Sequence, residues 1–139
     1  MRPDFSGEWI LNRQASTLQS GAAGVESGVM WIDHRDPKCG FRMNMTAGGQ
    51  SVEHVWEILS DGVEVAGEGG VSRLLWEGDA LVFNCRSQGS DESWIMSWRY
   101  ELLEEGQRLR AVEQIRGGGR DQDNIWIFER RGAVLDATE

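Results

Sequence analysis

The sequence pattern around Glu113 is not typical of protein surface. From residue 109 to residue 115 apolar and polar residues alternate, and Glu113 falls in the apolar phase. A carboxylate that faces a protein interior has to be paired with hydrogen-bond donors or be protonated. Glu113 is therefore either satisfied internally, by the Tyr100 hydroxyl, by His54 or by a water, or it serves a ligand as a polar anchor or as a general base.

The other side chains with chemical potential are the histidines and cysteines. His54 lies on an apolar strand face, where a lone histidine either is hydrogen-bonded in the core or contacts a ligand. His34 is expected to shape the turn at Asp36 that follows it. Cys85 also falls on an apolar face, with no basic neighbour in the pattern to activate it, and is interpreted as an inert thiol. With two separated histidines and no cysteine pair at metal-ligand spacing, the sequence predicts neither a metal site nor a cofactor.

No catalytic motif is found in the sequence. A Gly-x-Ser-x-Gly elbow, a phosphate-binding loop and a dinucleotide fingerprint are all absent. The glycine-rich stretches at 67–70 and 117–119 lie between strand patterns and do not open a helix, so they indicate hairpin turns. We therefore assign no catalytic residue from the sequence.

Composition limits the class of protein further. A length of 139 residues suits one domain, and 23 acidic against 14 basic residues give a net charge of −9. This charge argues against partners with a phosphate backbone and against anionic membrane surfaces. No apolar run is long enough for a transmembrane helix. Seven tryptophans need burial, and they could fill a solid core or line a cavity.

Turn signals that recur about every ten residues predict a chain of short antiparallel strands. Two segments alternate clearly. In the first, Val52, His54, Trp56 and Ile58 share one face; in the second, Trp94, Met96, Trp98, Tyr100 and Leu102 do so. Nine strands are expected from about residue 28 onward, and residues 6–12 add a tenth.

These strands predict an all-β fold, an antiparallel up-and-down meander barrel of eight to ten strands with ten favoured. A two-sheet sandwich is the alternative, but the lack of long crossover connections favours the barrel. The stretch 13–25 is expected to be a short helix or an irregular loop between the first two strands. Residues 1–131 would form the single domain, and residues 132–139 a frayed tail.

Three segments resemble the calycins, the group of lipocalins and intracellular fatty-acid-binding proteins. Gly7-Glu8-Trp9 resembles the Gly-x-Trp of their first strand, Trp76-Glu77-Gly78-Asp79 a strand turn, and the segment 126–130 the closing strand. The segments 32–38 and 100–109 are similar to bacterial lipocalin-like domains. The resemblance implies a structural contact in which Arg130 or Arg131 crosses the ring of Trp9.

The resemblance also implies an inward-facing lining and one departure from the family. Fatty-acid-binding proteins hold a carboxylate with an Arg-x-Tyr pair on the last strand, whereas this chain has Trp126 and Phe128 at the corresponding positions. A fatty acid held in the usual way is therefore not expected. The ligand-binding residues that the inward phase implies are Phe41, Met43, His54, Trp56, Phe83, Cys85, Trp94, Met96, Trp98, Tyr100, Glu113, Trp126 and Phe128.

The sequence thus predicts binding of a small hydrophobic, planar or aromatic molecule within an aromatic-lined barrel. Two alternatives stay open, an enzyme that uses Glu113 or His54 as general acid or base and an interaction module with a solid core. The protein is expected to be a monomer or homodimer, without nucleic-acid or membrane-inserted partners. In the absence of a secretory signal we expect a cytoplasmic location, or export if a leader has been removed.

Overall fold

A computed structural model describes residues 3–19, 22–67, 70–87, 93–119 and 121–131 of the chain. The first five strands are β1 (Gly7–Leu11), β2 (Val25–Arg35), β3 (Lys38–Ala47), β4 (Gln50–Leu59) and β5 (Val65–Gly67). The other five are β6 (Gly70–Glu77), β7 (Ala80–Arg86), β8 (Trp94–Leu103), β9 (Arg108–Gly117) and β10 (Gln122–Arg130). The predicted tail 132–139 lies outside the described residues. Within those ranges no helix is long and apolar enough to cross a bilayer.

All ten strands belong to one antiparallel sheet that is curled into a half-barrel. Its order is β4-β3-β2-β1-β10-β9-β8-β7-β6-β5, so sequence neighbours pair at every step except β4 to β5, and β1 pairs with β10. The predicted all-β meander with ten strands is confirmed. Across the described residues β4 and β5 are not hydrogen-bonded to each other, although β4 approaches β6. The curled sheet therefore keeps a gap along these two edges.

The register of the strand pairing determines which residues share the inner face of the sheet. Met43 is opposite His54 and Phe41 opposite Trp56 between β3 and β4, while Trp98 is opposite Glu113 between β8 and β9. Directly opposed residues lie on the same face of a sheet. The inner face is therefore built from the alternating apolar phases that the sequence shows.

The segment between β1 and β2 forms turns, and no helix occurs in its described part. Of the two alternatives that the sequence left, the irregular loop is the one observed. The segment is tied to β10, because Thr17 and Ile125 exchange backbone hydrogen bonds of 2.8 Å. The Ser16 hydroxyl also accepts a bond from the Ile127 amide at 2.9 Å. These bonds hold Ser16 and Thr17 against the barrel wall without helical structure.

One end of the half-barrel is filled by side chains around Trp9. The Arg130 guanidinium lies 4.3 Å above the Trp9 ring, so Arg130 and not Arg131 makes this cation–π contact. Gly7 allows the approach: its φ is +143°, and a Cβ there would lie 2.6 Å from Arg130 Nη1. Phe5 and Phe128 are buried in the same cluster. This end of the molecule is a solid core.

His34 closes the core at the turn between β2 and β3. Its ring is buried and stacks on Trp76 at 5.4 Å, and its Nε2 lies 3.4 Å from Asp36 Oδ1. The Ser60 hydroxyl donates to the same carboxylate oxygen at 2.6 Å, and the Trp76 indole donates to it at 3.0 Å. The Ser60 and Trp76 hydrogen bonds hold the pKa of Asp36 below its usual range. His34 thus shapes this turn, as the sequence analysis predicts.

Candidate functional site

A cavity of about 810 Å³ lies inside the half-barrel, between the inner faces of β3 and β4 and those of β5 to β8. Its size is in the range of small-molecule sites, about 300–1,000 Å³. The lining is mainly apolar and aromatic. It consists of Met43, His54, Trp56, Glu57, Ile58, Leu59, Val65, Gly67, Gly70, Ser72, Phe83, Cys85, Trp94, Met96, Trp98 and Tyr100.

The cavity opens at the gap between β4 and β5. Consecutive β4 residues point to opposite faces of a sheet, yet all four residues from Trp56 to Leu59 line the cavity. Residues from both faces of one strand can line the same cavity only where the edge of that strand forms the rim of an opening. Leu59 and Val65, on the two sides of the gap, are both largely exposed. Leu59 and Val65 therefore place aliphatic side chains at the mouth, beside Trp56 and Glu57.

A row of aromatic rings separates the cavity from the solid core. Trp56 stacks on Phe41 at 4.9 Å with an angle of 10°, and Phe41 contacts Tyr100 of the opposite wall at 5.7 Å. Tyr100 stacks on Trp98 at 6.0 Å and 8°, and Trp98 contacts Trp126 at 6.0 Å. This ring row is the set Trp56, Phe41, Tyr100, Trp98 and Trp126. It presents flat apolar surface to whatever enters the cavity.

Tyr100 is the most deeply buried polar side chain of the lining. Its residue is 3% exposed, and within the described part of the chain its hydroxyl makes no hydrogen bond. Burial raises the pKa of Tyr100; the Cys39 thiolate, which forms only at strongly alkaline pH, and the Glu113 carboxylate raise it further. The phenol therefore stays protonated at neutral pH, and its O–H is available to a molecule in the cavity.

Glu113 is buried behind the wall of the cavity. Its Oε1 accepts hydrogen bonds from Asn124 Nδ2 at 3.0 Å and from Trp126 Nε1 at 3.1 Å. The Asn124 Oδ1 in turn accepts a hydrogen bond from the backbone amide of Gln19 at 2.7 Å. The sequence analysis named the Tyr100 hydroxyl, His54 or a water as internal partners. The side-chain donors observed are Asn124 and Trp126 in place of Tyr100 or His54, because both lie on β10 beside Glu113 and face inward with it.

His54 and Cys85 both lie in the lining of the cavity. His54 is exposed on β4, the strand that borders the gap. Cys85 is half-buried, and its Sγ accepts a weak hydrogen bond from Ser72 Oγ at 3.4 Å. Glu113, the other acid or base considered, is outside the lining. Among the described residues, no three His, Cys, Asp or Glu side chains cluster so that they could hold a metal ion.

Nine of the thirteen predicted ligand-binding residues lie in the cavity lining. They are Met43, His54, Trp56, Phe83, Cys85, Trp94, Met96, Trp98 and Tyr100. The other four are buried outside the lining: Phe41 and Trp126 are the members of the ring row that do not line the cavity, and Glu113 and Phe128 belong to the interior beside it. They share the inward phase, but side chains fill this part of the barrel, so that facing inward does not mean facing the cavity.

The sequence pattern did not indicate Val65 and Ser72 as lining residues, nor Asn124 as one of the two donors to Glu113. Val65 belongs to a strand of three residues, too short for a periodic signal. Ser72 is opposite Cys85 and could have been placed only with the register in hand. Asn124 has the same phase as Trp126, and this was the available sign that it faces inward.

Neither a protein-family model nor a curated protein matches the sequence of this chain. Solved structures do match its fold. The fluorescent protein UnaG has 13% identity and a TM-score of 0.59, with 91% of this chain and 96% of that chain covered. The REP1-NXSQ fatty acid transporter has 14% identity and a TM-score of 0.54, with the same shares covered. The chain has the fatty-acid-binding-protein-like calycin fold, as the resemblance predicts.

Proposed function

We propose that this protein binds a small, planar aromatic molecule in the cavity that opens between β4 and β5. The observation that carries the proposal is the cavity itself, about 810 Å³ and lined largely by aromatic and aliphatic side chains. A ligand that loses about 300 Å² of apolar surface there gains roughly 7 kcal/mol before association costs. A net gain of about 7 kcal/mol corresponds to a Kd of roughly 10 μM. Micromolar affinity therefore requires that stacking on the aromatic lining offsets the association costs.

The ring row favours a flat ligand over a flexible chain. Trp56, Trp98 and Tyr100 all line the cavity, and each is already held by contact with a neighbouring ring. Rings fixed in this way lose little freedom when a ligand stacks on them, and an offset stack adds roughly 0.5–1.5 kcal/mol. A flexible acyl chain would lose much more conformational entropy for the same contact.

One of the solved structures with this fold is named a fatty acid transporter. Binding of a fatty acid by this chain is not supported at the positions where fatty-acid-binding proteins hold the ligand's carboxylate. Trp126 and Phe128 stand there, and Trp126 donates to an internal carboxylate, that of Glu113. The fold similarity supports ligand binding inside the barrel, whereas the side chains favour an aromatic ligand.

Tryptophan fluorescence tests the proposal. Titration with 9-anthracenemethanol, an uncharged planar probe, is expected to quench the fluorescence with a Kd in the micromolar range. Trp56→Ala should weaken binding about tenfold, because it removes one stacking face and its buried area. Trp31→Ala is the matched control: Trp31 lies on the outer face beneath Arg42, 4.8 Å away, and outside the lining. Absence of saturable quenching, or equal losses in both variants, would overturn the proposal.

We also infer a bacterial source and a cytoplasmic location for this binding protein. Thirteen of its fourteen basic residues are arginine, a bias typical of GC-rich genomes, and Lys38 is the exception. Both cysteines are free thiols, which suits a reducing compartment. Fractionation of cells that produce the protein at its natural level, followed by detection with an antibody, tests the location. Recovery in the periplasm or medium would contradict it.

A further inference from the structure

The wall of the cavity has an unusual charge composition. Its polar side chains are His54, Glu57, Ser72, Cys85 and Tyr100, and none of the described lining residues is lysine or arginine. A carboxylate that enters an apolar cavity must exchange its hydration for fixed donors or a cation. The cavity wall offers an acidic ligand no permanent cation of this kind.

Hydrogen-bond donors suited to a carboxylate exist behind the cavity wall, but they are already bonded to a carboxylate of the protein, that of Glu113. Trp126 Nε1 and Asn124 Nδ2 converge on one oxygen of Glu113, at 3.1 Å and 3.0 Å. Trp126 is also in ring contact with Trp98, which is part of the lining. Glu113 therefore takes up the inward-facing donors beside the cavity that could otherwise bind a ligand's acid group.

The charge of Glu113 is close enough to act on the cavity wall. Glu113 lies directly opposite Trp98 in the pairing of β8 with β9. It also contributes to the raised pKa of Tyr100, after burial and Cys39. In a poorly solvated interior a unit charge is weakly screened, so its potential extends past one layer of side chains. The potential at Tyr100 is thus made more negative by Glu113.

We propose that Glu113 is a built-in carboxylate that sets the charge selectivity of the cavity, which accepts planar aromatic cations and uncharged aromatics and rejects aromatic and fatty carboxylates. This inference rests on the proposed aromatic-ligand function and adds the ligand's charge to it. The indole and phenol faces of the ring row favour the same sign, because a cation is attracted to the face of an aromatic ring.

Three tricyclic probes of similar shape separate charge from fit. They are 9-aminoacridine as the cation, 9-anthracenemethanol as the uncharged probe and anthracene-9-carboxylate as the anion. The titrations are made at about pH 8, where an ordinary histidine is neutral. We expect the cation to bind about tenfold or more tightly than the anion, with the uncharged probe between them. If the uncharged probe binds but the anion equals the cation, the charge inference is overturned and the proposed function stands. If no probe binds, the proposed function itself is overturned.

Variants of Glu113 test the residue assignment. Glu113→Gln keeps an acceptor for both donors but removes the charge, so anion binding should tighten about tenfold while binding of the uncharged probe changes less than about twofold. Glu113→Asp keeps the charge and should keep the wild-type order. Glu53→Gln is the control, because it removes an equal charge from the outer face, where Glu53 pairs with Arg42 at 2.9 Å. If Glu113→Gln leaves the cation-to-anion ratio unchanged, Glu113 is not the selective residue. Should that variant fail to fold, the wild-type ratio still decides whether the cavity selects by charge.

Discussion

Cys39 shows how strongly one side chain depends on its place in this sheet. The residue is 0% exposed, and it faces the core from β3 opposite His34. Burial raises the pKa of the Cys39 thiol to about 12, and the nearby charges of Asp33 and Asp36 act in the same direction. The thiolate is therefore excluded from the folded protein at any pH near neutral.

The raised pKa of Cys39 predicts a loss of stability at alkaline pH. Above the ordinary thiol pKa of 9.0 the unfolded chain releases this proton, while the folded chain keeps it up to about pH 12. The unfolded state then binds fewer protons, so the free energy of unfolding falls as pH rises, by about 1.4 kcal/mol per unit within this window. Urea unfolding at about pH 8 and pH 10, with reductant present, should show a decrease of roughly this size.

Cys39→Ala is the control for that measurement. Because alanine cannot titrate, the variant should lose the part of the decrease that belongs to Cys39. Measurements stay at or below about pH 10, since the raised pKa of Tyr100 adds a similar loss at higher pH. The same decrease in Cys39→Ala and the wild type would show that Cys39 does not carry the effect.

At the scale of strands, the pairing of β9 with β10 depends on a polar group that joins them to the loop after β1. Asn124 is 1% exposed; its side chain donates a hydrogen bond to Glu113 and accepts one from the backbone amide of Gln19. Asn124→Ala should therefore lower the free energy of unfolding by about 2–4 kcal/mol, since it leaves buried polar partners unsatisfied. Chemical denaturation monitored by circular dichroism measures this loss.

Asn44→Ala is the matched control for that substitution. Asn44 lies on β3 in the outward phase, opposite Glu53, and it makes no side-chain hydrogen bond within the described residues. Its replacement should change the free energy of unfolding by no more than about 0.5 kcal/mol. Comparable losses in the two variants would mean that the network around Asn124 does not stabilise the fold.

The strands themselves were predictable where residues alternate over many positions. β4 and β8 are ten residues long, and their inward phases, from His54 to Ile58 and from Trp94 to Leu102, can be read directly. The loop between β1 and β2 could not be assigned, because its order comes from bonds to β10 at positions distant in sequence. Local patterns carry no information on such bonds.

At the scale of the whole molecule, the sequence predicted an aromatic interior but not how it is divided. Phe41 and Trp126 share the inward phase with Met43 and Trp98, yet the first two are buried in the core cluster and the latter two line the cavity. The boundary is the ring row, which forms when Phe41 of β3 meets Tyr100 of β8 across the barrel. Contacts between strands so far apart in the sheet order follow from its curvature, and a strand pattern does not encode that curvature.

The half-barrel has one solid end and one gap, so a ligand should enter between β4 and β5. Val65→Trp tests this route, because Val65 is 54% exposed and also lines the cavity. The larger side chain should narrow the mouth and slow association of 9-anthracenemethanol about tenfold in stopped-flow fluorescence. Because position 65 is at the surface, Val65→Trp should alter the free energy of unfolding by less than about 0.5 kcal/mol.

Val63→Trp provides the comparison for the entry route. Val63 precedes β5, is 60% exposed and lies outside the cavity lining, so the same added volume there should leave the association rate unchanged within about twofold. Because both variants add one tryptophan, their fluorescence backgrounds are matched. Entry through the gap requires that only the substitution at Val65 slows association. If both rates equal that of the wild type while the probe still binds, the ligand reaches the cavity by a path other than this gap.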